Sequence, residues 1–266
     1  MESHPFQAAP PLALSLAGLK IEGGPRHQLQ WASDHGFAGA AVQIDAAAPG
    51  LRPREFDRSA RRDLGALLRR LELAFAGLDL FIPPEHFTRP ETLDRAMSAA
   101  RAALEFAADL ATLAGGVSGG ASGGRPAVSM ALPTEGAEEA IGELEARAYH
   151  CGGAIADLTW PASDANPDPA AAIGLGLDPA SVLLAGDDPV RAVGEFGHRL
   201  RSARLCDLSS AGRTPPGEGR LDVGAYFAAL SAVGHQGALV VDVRGLADQE
   251  RVIETIVKRW GRRIGD

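Results

Sequence analysis

The sequence has 266 residues, 45% of them hydrophobic and 23% charged, with a net charge of −8. That length allows one large domain or two small ones with a substantial core, and the composition excludes a disordered or fibrous chain. The negative balance also opposes a phosphate backbone as partner, because nucleic-acid affinity rests on clustered Lys and Arg that release counterions.

At the start of the chain, "MESHPFQAAPPLALSLAGLKIEGG" carries an acid where a signal peptide carries positive charge, and its apolar run is short. Residues 1–11 read as a tail and 12–262 as one domain. Apolar runs with strand character then follow at 12–19, 39–45, 72–81, 127–133, 153–160, 173–178, 202–207 and 237–243. Between them, apolar residues recur every three to four positions at 26–36, 54–71, 89–113, 135–152, 188–200, 222–234 and 247–260, which predicts amphipathic helices. Asp188 before Pro189 is an N-cap signal, while Gly36, Gly152 and Gly234 fall where helices should stop. The stretch "PASDANPDPAAA" at 161–172 is too short and proline-rich for more than a turn or two, so the fifth helix is short or missing. "AGGVSGGASGGRP" at 114–126 reads as a surface loop; it lacks the GK[ST] ending of a phosphate loop.

Strict alternation of strand and helix implies parallel strands joined by right-handed crossovers, and eight such units at this length predict an α/β fold, a single (β/α)8 barrel; an open doubly wound sheet shares the periodicity, but no GxGxxG follows the first strand. The two cysteines, Cys151 and Cys206, form neither a CxxC pair nor a zinc-knuckle spacing and fit a reducing, cytoplasmic compartment. No stretch is apolar and long enough to span a bilayer, so no membrane partner is expected.

In such a barrel the chemistry lies at the C-terminal strand ends, which here carry Asp45, Asp79, Asp157, Asp178, Asp207 and Asp242. A strand-terminal Asp also caps the next helix, so each alone has a structural explanation. Four on strands five to eight would repel one another unless a cation sat among them. An all-oxygen set favours Mg²⁺ or Mn²⁺, and Arg204, three residues before Asp207, is the other cation at hand. Of the seven histidines only His86, after the third strand, faces the mouth; His35, His150, His198 and His235 lie near helix C-termini, where an imidazolium gains from the helix dipole. Trp160, just past the fifth strand, offers a face for a sugar ring or simple packing.

From residue 173 onward the chain resembles the xylose isomerase-like barrels, a group of sugar-phosphate isomerases and epimerases that includes endonuclease IV relatives. The stretch "IGLGLDPASVLLAGDDPVRAVGEFGHRLRSARLCDLSSAGRTPPGEGRLDVGAYFAALSAVGHQGALVVDV" follows the family order of a D-x-x-H strand end, an H-x-x-D strand end, a G-E-G loop and a G-x-L-V-x-E strand. The resemblance implies a divalent metal held by Glu, Asp, His and Glu, with the two Glu residues moving a proton beside a carbonyl. Here the first Glu falls on Asp157, the Asp is kept as Asp178 with Ser181 in place of the following His, the metal-binding His becomes Arg204 while its Asp remains Asp207, and the last Glu becomes Asp242. Each Glu-to-Asp change shortens the reach by about 1.5 Å, whereas metal distances tolerate about 0.2 Å. An arginine has no lone pair to offer a metal.

Two readings follow. In the first the protein is an isomerase or epimerase of a sugar-like hydroxy-carbonyl compound working through an enediolate, with Asp157 and Asp242 as acid and base. Asp178 and Asp207 then hold the metal, or Arg204 polarises the carbonyl in its place, and Trp160, His86 and the loop Glu218 contact substrate. In the second the barrel has lost catalysis and serves as a binding or assembly subunit, with Arg204 neutralising Asp178, Asp207 and Asp242. Its helical exterior admits a homo-oligomer in either case.

Overall fold

The computed structural model describes residues 10–37, 41–114, 125–162, 168 and 170–260. In chain order the strands are β1 (Leu12–Ser15), β2 (Ala41–Asp45), β3 (Ala74–Asp79), β4 (Ala127–Met130), β5 (Ala154–Asp157), β6 (Ile173–Leu177), β7 (Leu200–Leu205), β8 (Asp207–Ser209), β9 (Gly212–Thr214) and β10 (Leu239–Val241). All but β8 and β9 close in parallel into one barrel, with the seam sealed where Leu12 pairs Leu239 and Ala13 pairs Ala41. Around it lie α1 (Pro25–Ala32), α2 (Arg58–Arg70), α3 (Pro90–Leu113), α4 (Glu138–Cys151), α5 (Pro179–Leu184), α6 (Pro189–Phe196), α7 (Val223–Ala232) and α8 (Gln249–Trp260). This is the (β/α)8 barrel that the alternation predicts.

Local chemistry places the helices. The carboxylates of Asp57, Asp178, Asp188 and Asp222 accept backbone N–H bonds at the first turns of α2, α5, α6 and α7. Gly152 ends α4 in the left-handed conformation that a glycine adopts without strain. Among the described residues between β5 and β6 there is no helix, as the proline-rich stretch implies. Two elements depart from expectation: the short α5 begins at Pro179, directly after β6 and its cap Asp178, and the loop after β7 folds into the β8–β9 hairpin, in which Asp207 pairs Thr214. The low-complexity stretch 115–124 and the tail 1–9 lie outside the described residues. No helix of the described residues is long and apolar enough to cross a membrane.

The core has two parts. Leu14, Val42, Phe75, Leu78 and Ile155 face the helices, whereas Ala13, Ala238 and Val240, with Ala74 and Ala76, form a separate small-residue cluster. Side chains two apart on a strand share a face, so Ser15 follows Ala13 and Asp242 follows Val240 on the inner wall. β3 breaks this alternation: the register shifts between Val42 and Gln43, and the facing Gly77 has φ 149. A Cβ at Gly77 would stand 2.5 Å from the Ala127 carbonyl oxygen, so only glycine fits. The extra residue turns Asp79 inward while Phe75 and Leu78 stay with the outer core.

His235 corrects the dipole reading. It is buried, neither ring nitrogen has a hydrogen-bond partner among the described residues, and burial lowers its pKa from 6.5 to about 4. It folds as a neutral ring. An unfolded chain takes up the proton below pH 6.5 while the folded one does not, so stability is intact above that pH and falls as pH drops toward 4, by about 3 kcal/mol. His235→Leu should flatten that slope in denaturant titrations between pH 4 and 7.

Candidate active site

At the C-terminal end of the barrel a polar layer caps the alanines. Asp79 accepts hydrogen bonds from Ser15 Oγ at 2.5 Å, Gln43 Nε2 at 2.6 Å and Arg204 Nη2, and Gln43 also donates to Ser129 Oγ at 3.1 Å. Arg204 is 0% exposed and stands at the centre, its Nη1 donating to Asp242 Oδ2 at 3.0 Å. Its backbone carbonyl accepts from Tyr226 Oη at 3.2 Å, which anchors β7 at this level.

Two further arginines close the network from outside. Arg244, two residues beyond Asp242, donates from Nε and Nη2 to that carboxylate at 2.9 and 2.5 Å. Arg213, carried on β9, lies 3.1 Å from Asp242 Oδ2 and 3.3 Å from Asp178 Oδ2. Asp178 spends its other oxygen on the backbone N–H groups of Ala180 and Ser181 and on Cys206 Sγ at 3.0 Å. Three carboxylates, Asp79, Asp178 and Asp242, thus interleave with three guanidiniums. Arg244 also lies over the ring of Phe81, 4.0 Å from its centroid, and Phe81 is 36% exposed.

The electrostatics follow from burial and pairing. Burial alone would raise Asp242, but Arg204, Arg244 and Arg213 outweigh it and hold the carboxyl well below the usual range. Burial pushes Asp178 the same way and is outweighed by Arg213 and Arg204, so it too lies low. Arg204 is held charged despite burial by Asp79, Asp242 and Asp178. Burial, together with Asp178, raises the Cys206 thiol well above its ordinary value, leaving it no nucleophile.

Of the residues read from sequence, the structure brings together Arg204, Asp178 and Asp242. Asp207 is near but faces elsewhere: its oxygens accept backbone N–H bonds from Leu208, Gly217, Gly219 and Leu221 at 2.7 to 3.0 Å. Asp157 is separate, accepting from Leu132 and Thr159 backbone N–H groups beside a cavity of about 370 Å³ lined by Ile141, Ile173 and Arg199. Burial raises its pKa, against those two bonds. Trp160 donates from Nε1 to Asp187 at 2.8 Å and meets Phe196 edge-on. His86 sits half-buried in a short turn, and Glu218 is exposed on its loop. Asp79, in sequence only one of six strand-end carboxylates, proves to be a direct partner of Arg204, and Arg213, Arg244 and Phe81 join the mouth without a sequence signal.

With this geometry in view, residues 29–262 match the family described as "Xylose isomerase-like TIM barrel". The chain belongs to that family. Solved structures agree on the fold. A xylose isomerase domain protein from Planctomyces limnophilus is 17% identical, with 96% of this chain and 99% of that one covered and a TM-score of 0.69. For the probable 3-DHS dehydratase AsbF from Bacillus anthracis the identity is 10%, the coverage 93% and 97%, and the TM-score 0.68. A sugar phosphate isomerase/epimerase from Parabacteroides distasonis is 15% identical, with 94% and 93% covered and a TM-score of 0.60. No curated protein matches the sequence.

Proposed function

We propose that this member of the family is a ligand-binding barrel that works without a divalent metal at its mouth and without proton transfer through an enediolate. The observation that carries the reading is the fully buried Arg204, paired with Asp79 and Asp242 where the family resemblance puts a metal-binding His. The donor set does not suit Mg²⁺ or Mn²⁺. Each of the three carboxylates already bonds a guanidinium, the charges balance three against three, and among the described residues the only cluster of three donors close enough to hold an ion lies elsewhere. Asp242, held strongly ionised, is a weak base near neutral pH. Asp157 accepts both backbone N–H bonds, from Leu132 and Thr159, on Oδ1 and shares no bond with Asp242 among the described residues. The pairing of Asp157 and Asp242 as acid and base is therefore not the reading favoured.

What the mouth offers is recognition. Arg213 and Arg244 are 25% and 26% exposed, and Arg244 lies over the face of Phe81, a combination suited to a small sugar-like molecule that carries a carboxylate or phosphate. The names of structural neighbours, a sugar phosphate isomerase/epimerase and a probable 3-DHS dehydratase, support small oxygenated ligands. Calorimetry with a panel of sugar phosphates and sugar acids should find a binder whose affinity falls roughly ten-fold or more in Arg244→Ala, the loss expected for a charged hydrogen bond. The bound ligand should take up no deuterium from D₂O beside its carbonyl. Deuterium uptake, or stoichiometric Mn²⁺ lost in Asp178→Asn, would overturn this reading.

A further inference from the structure

A second cluster of chemically capable groups lies apart from the mouth, where the turn after α1 meets α8. His35 occupies that turn (Ser33–Phe37), its ring stacked on Trp31 with 4.0 Å between centroids and 16° between planes. Its Nδ1 is 2.8 Å from the Trp31 carbonyl oxygen. A carbonyl only accepts, so Nδ1 carries the hydrogen, and in the neutral ring Nε2 keeps its lone pair.

Nε2 faces α8. Glu250 Oε1 is 3.5 Å away, and ligand atoms of His35, Glu250 and Glu254 all lie within 4.8 Å of one another. The two glutamates stand one helical turn apart, where like charges repel, and among the described residues no Lys or Arg pairs with either. The turn is also fixed against the helix. Gly36 has φ 94, and a Cβ there would come within 2.6 Å of Val257 Cγ1.

We propose that His35, Glu250 and Glu254 bind one zinc ion, which ties α8 to the end of α1 across the seam where β1 and β10 close the barrel. One imidazole nitrogen and two carboxylate oxygens, with water as fourth ligand, make a tetrahedral set that zinc accepts. Mg²⁺ and Ca²⁺ prefer more oxygens and no imidazole. The Nδ1–H bond to Trp31 is the outer contact that orients a metal-binding histidine, and the exposed glutamates are free to rotate to bonding distances of about 2 Å.

The test is zinc titration of the untagged, chelator-stripped full chain by calorimetry, alongside thermal melts. One zinc per chain is expected, with a higher Tm in its presence. Glu254→Gln should weaken binding roughly ten-fold or more, and the double variant Glu250→Gln, Glu254→Gln should abolish both binding and the Tm shift. Those changes are on exposed side chains and leave the fold intact, unlike His35→Ala, which also loses a ring stack. Cu²⁺ as a quenching probe should dim Trp31 fluorescence in the native chain and not in the double variant. Absence of stoichiometric zinc, or zinc binding unchanged in the double variant, would overturn the proposal.

Discussion

Replacing Arg204 with methionine is expected to cost about 3–5 kcal/mol of folding stability at neutral pH, the range found when one partner is removed from a buried ion pair. Methionine fills similar space, so the loss is electrostatic rather than a cavity. Asp242 would keep Arg213 and Arg244, but Asp79, which is 0% exposed, would retain only the neutral donors Ser15 and Gln43. A buried carboxylate without a cation is relieved by taking up a proton, so the deficit relative to the native chain should shrink as pH falls toward 4. A packing defect would show no such recovery. Adding Asp79→Asn to Arg204→Met should restore much of the lost stability, because the uncompensated charge is then gone. Arg204→Lys keeps a charge but presents it as a point, and should fall between the two, since it cannot span Asp79 and Asp242 with separate nitrogens. Urea titrations of the four proteins at pH 4 and 7 decide the matter. An unchanged midpoint for Arg204→Met would mean that the network does not hold the mouth.

How far the sequence reaches is clearest around this arginine. Alternating apolar periods, the Asp188–Pro189 cap and the length sufficed for the barrel, because each depends on neighbours a few residues away. Arg204 stood out by residue type alone, but its strongest partner did not. Strict alternation puts Asp79 on the outer face of β3; one glycine bulge at Gly77, forced by contact with Ala127, reverses it. Asp79 and Arg204 are 125 residues apart, and no local pattern encodes that pairing. Arg213 was hidden for a different reason: it reaches the mouth only because the loop after β7 folds into a hairpin. Helix α5 is six residues long, too short for periodicity to register, although Asp178 and Pro179 marked its start. A position near a helix end says nothing about burial, and His235 is buried there rather than exposed to the helix dipole.

Asp207 shows how a residue kept from a family motif can serve the loop rather than a metal. Its carboxylate is 0% exposed and accepts four backbone N–H bonds, two on each oxygen: Leu208 and Leu221 on Oδ1, Gly217 and Gly219 on Oδ2. The G-E-G sequence fits this cradle. Gly217 has φ 83, and a Cβ at Gly219 would lie 2.5 Å from Asp207 Oδ1. Asp207→Ala leaves those donors without their acceptor at about 1–3 kcal/mol for each that stays buried, so a total near 4 kcal/mol is expected. Asn would keep one acceptor oxygen and turn an NH₂ group toward two N–H donors, costing somewhat less but still loosening the loop. Amide exchange separates this role from metal binding. In Asp207→Asn, the amides of 217–221 should exchange faster, and ligand affinity should fall with them, because Arg213 is carried on the hairpin that begins at Asp207. If instead loop protection were unchanged while Mn²⁺ affinity disappeared, Asp207 would be a metal ligand and the mouth would have to be read again as a metal site.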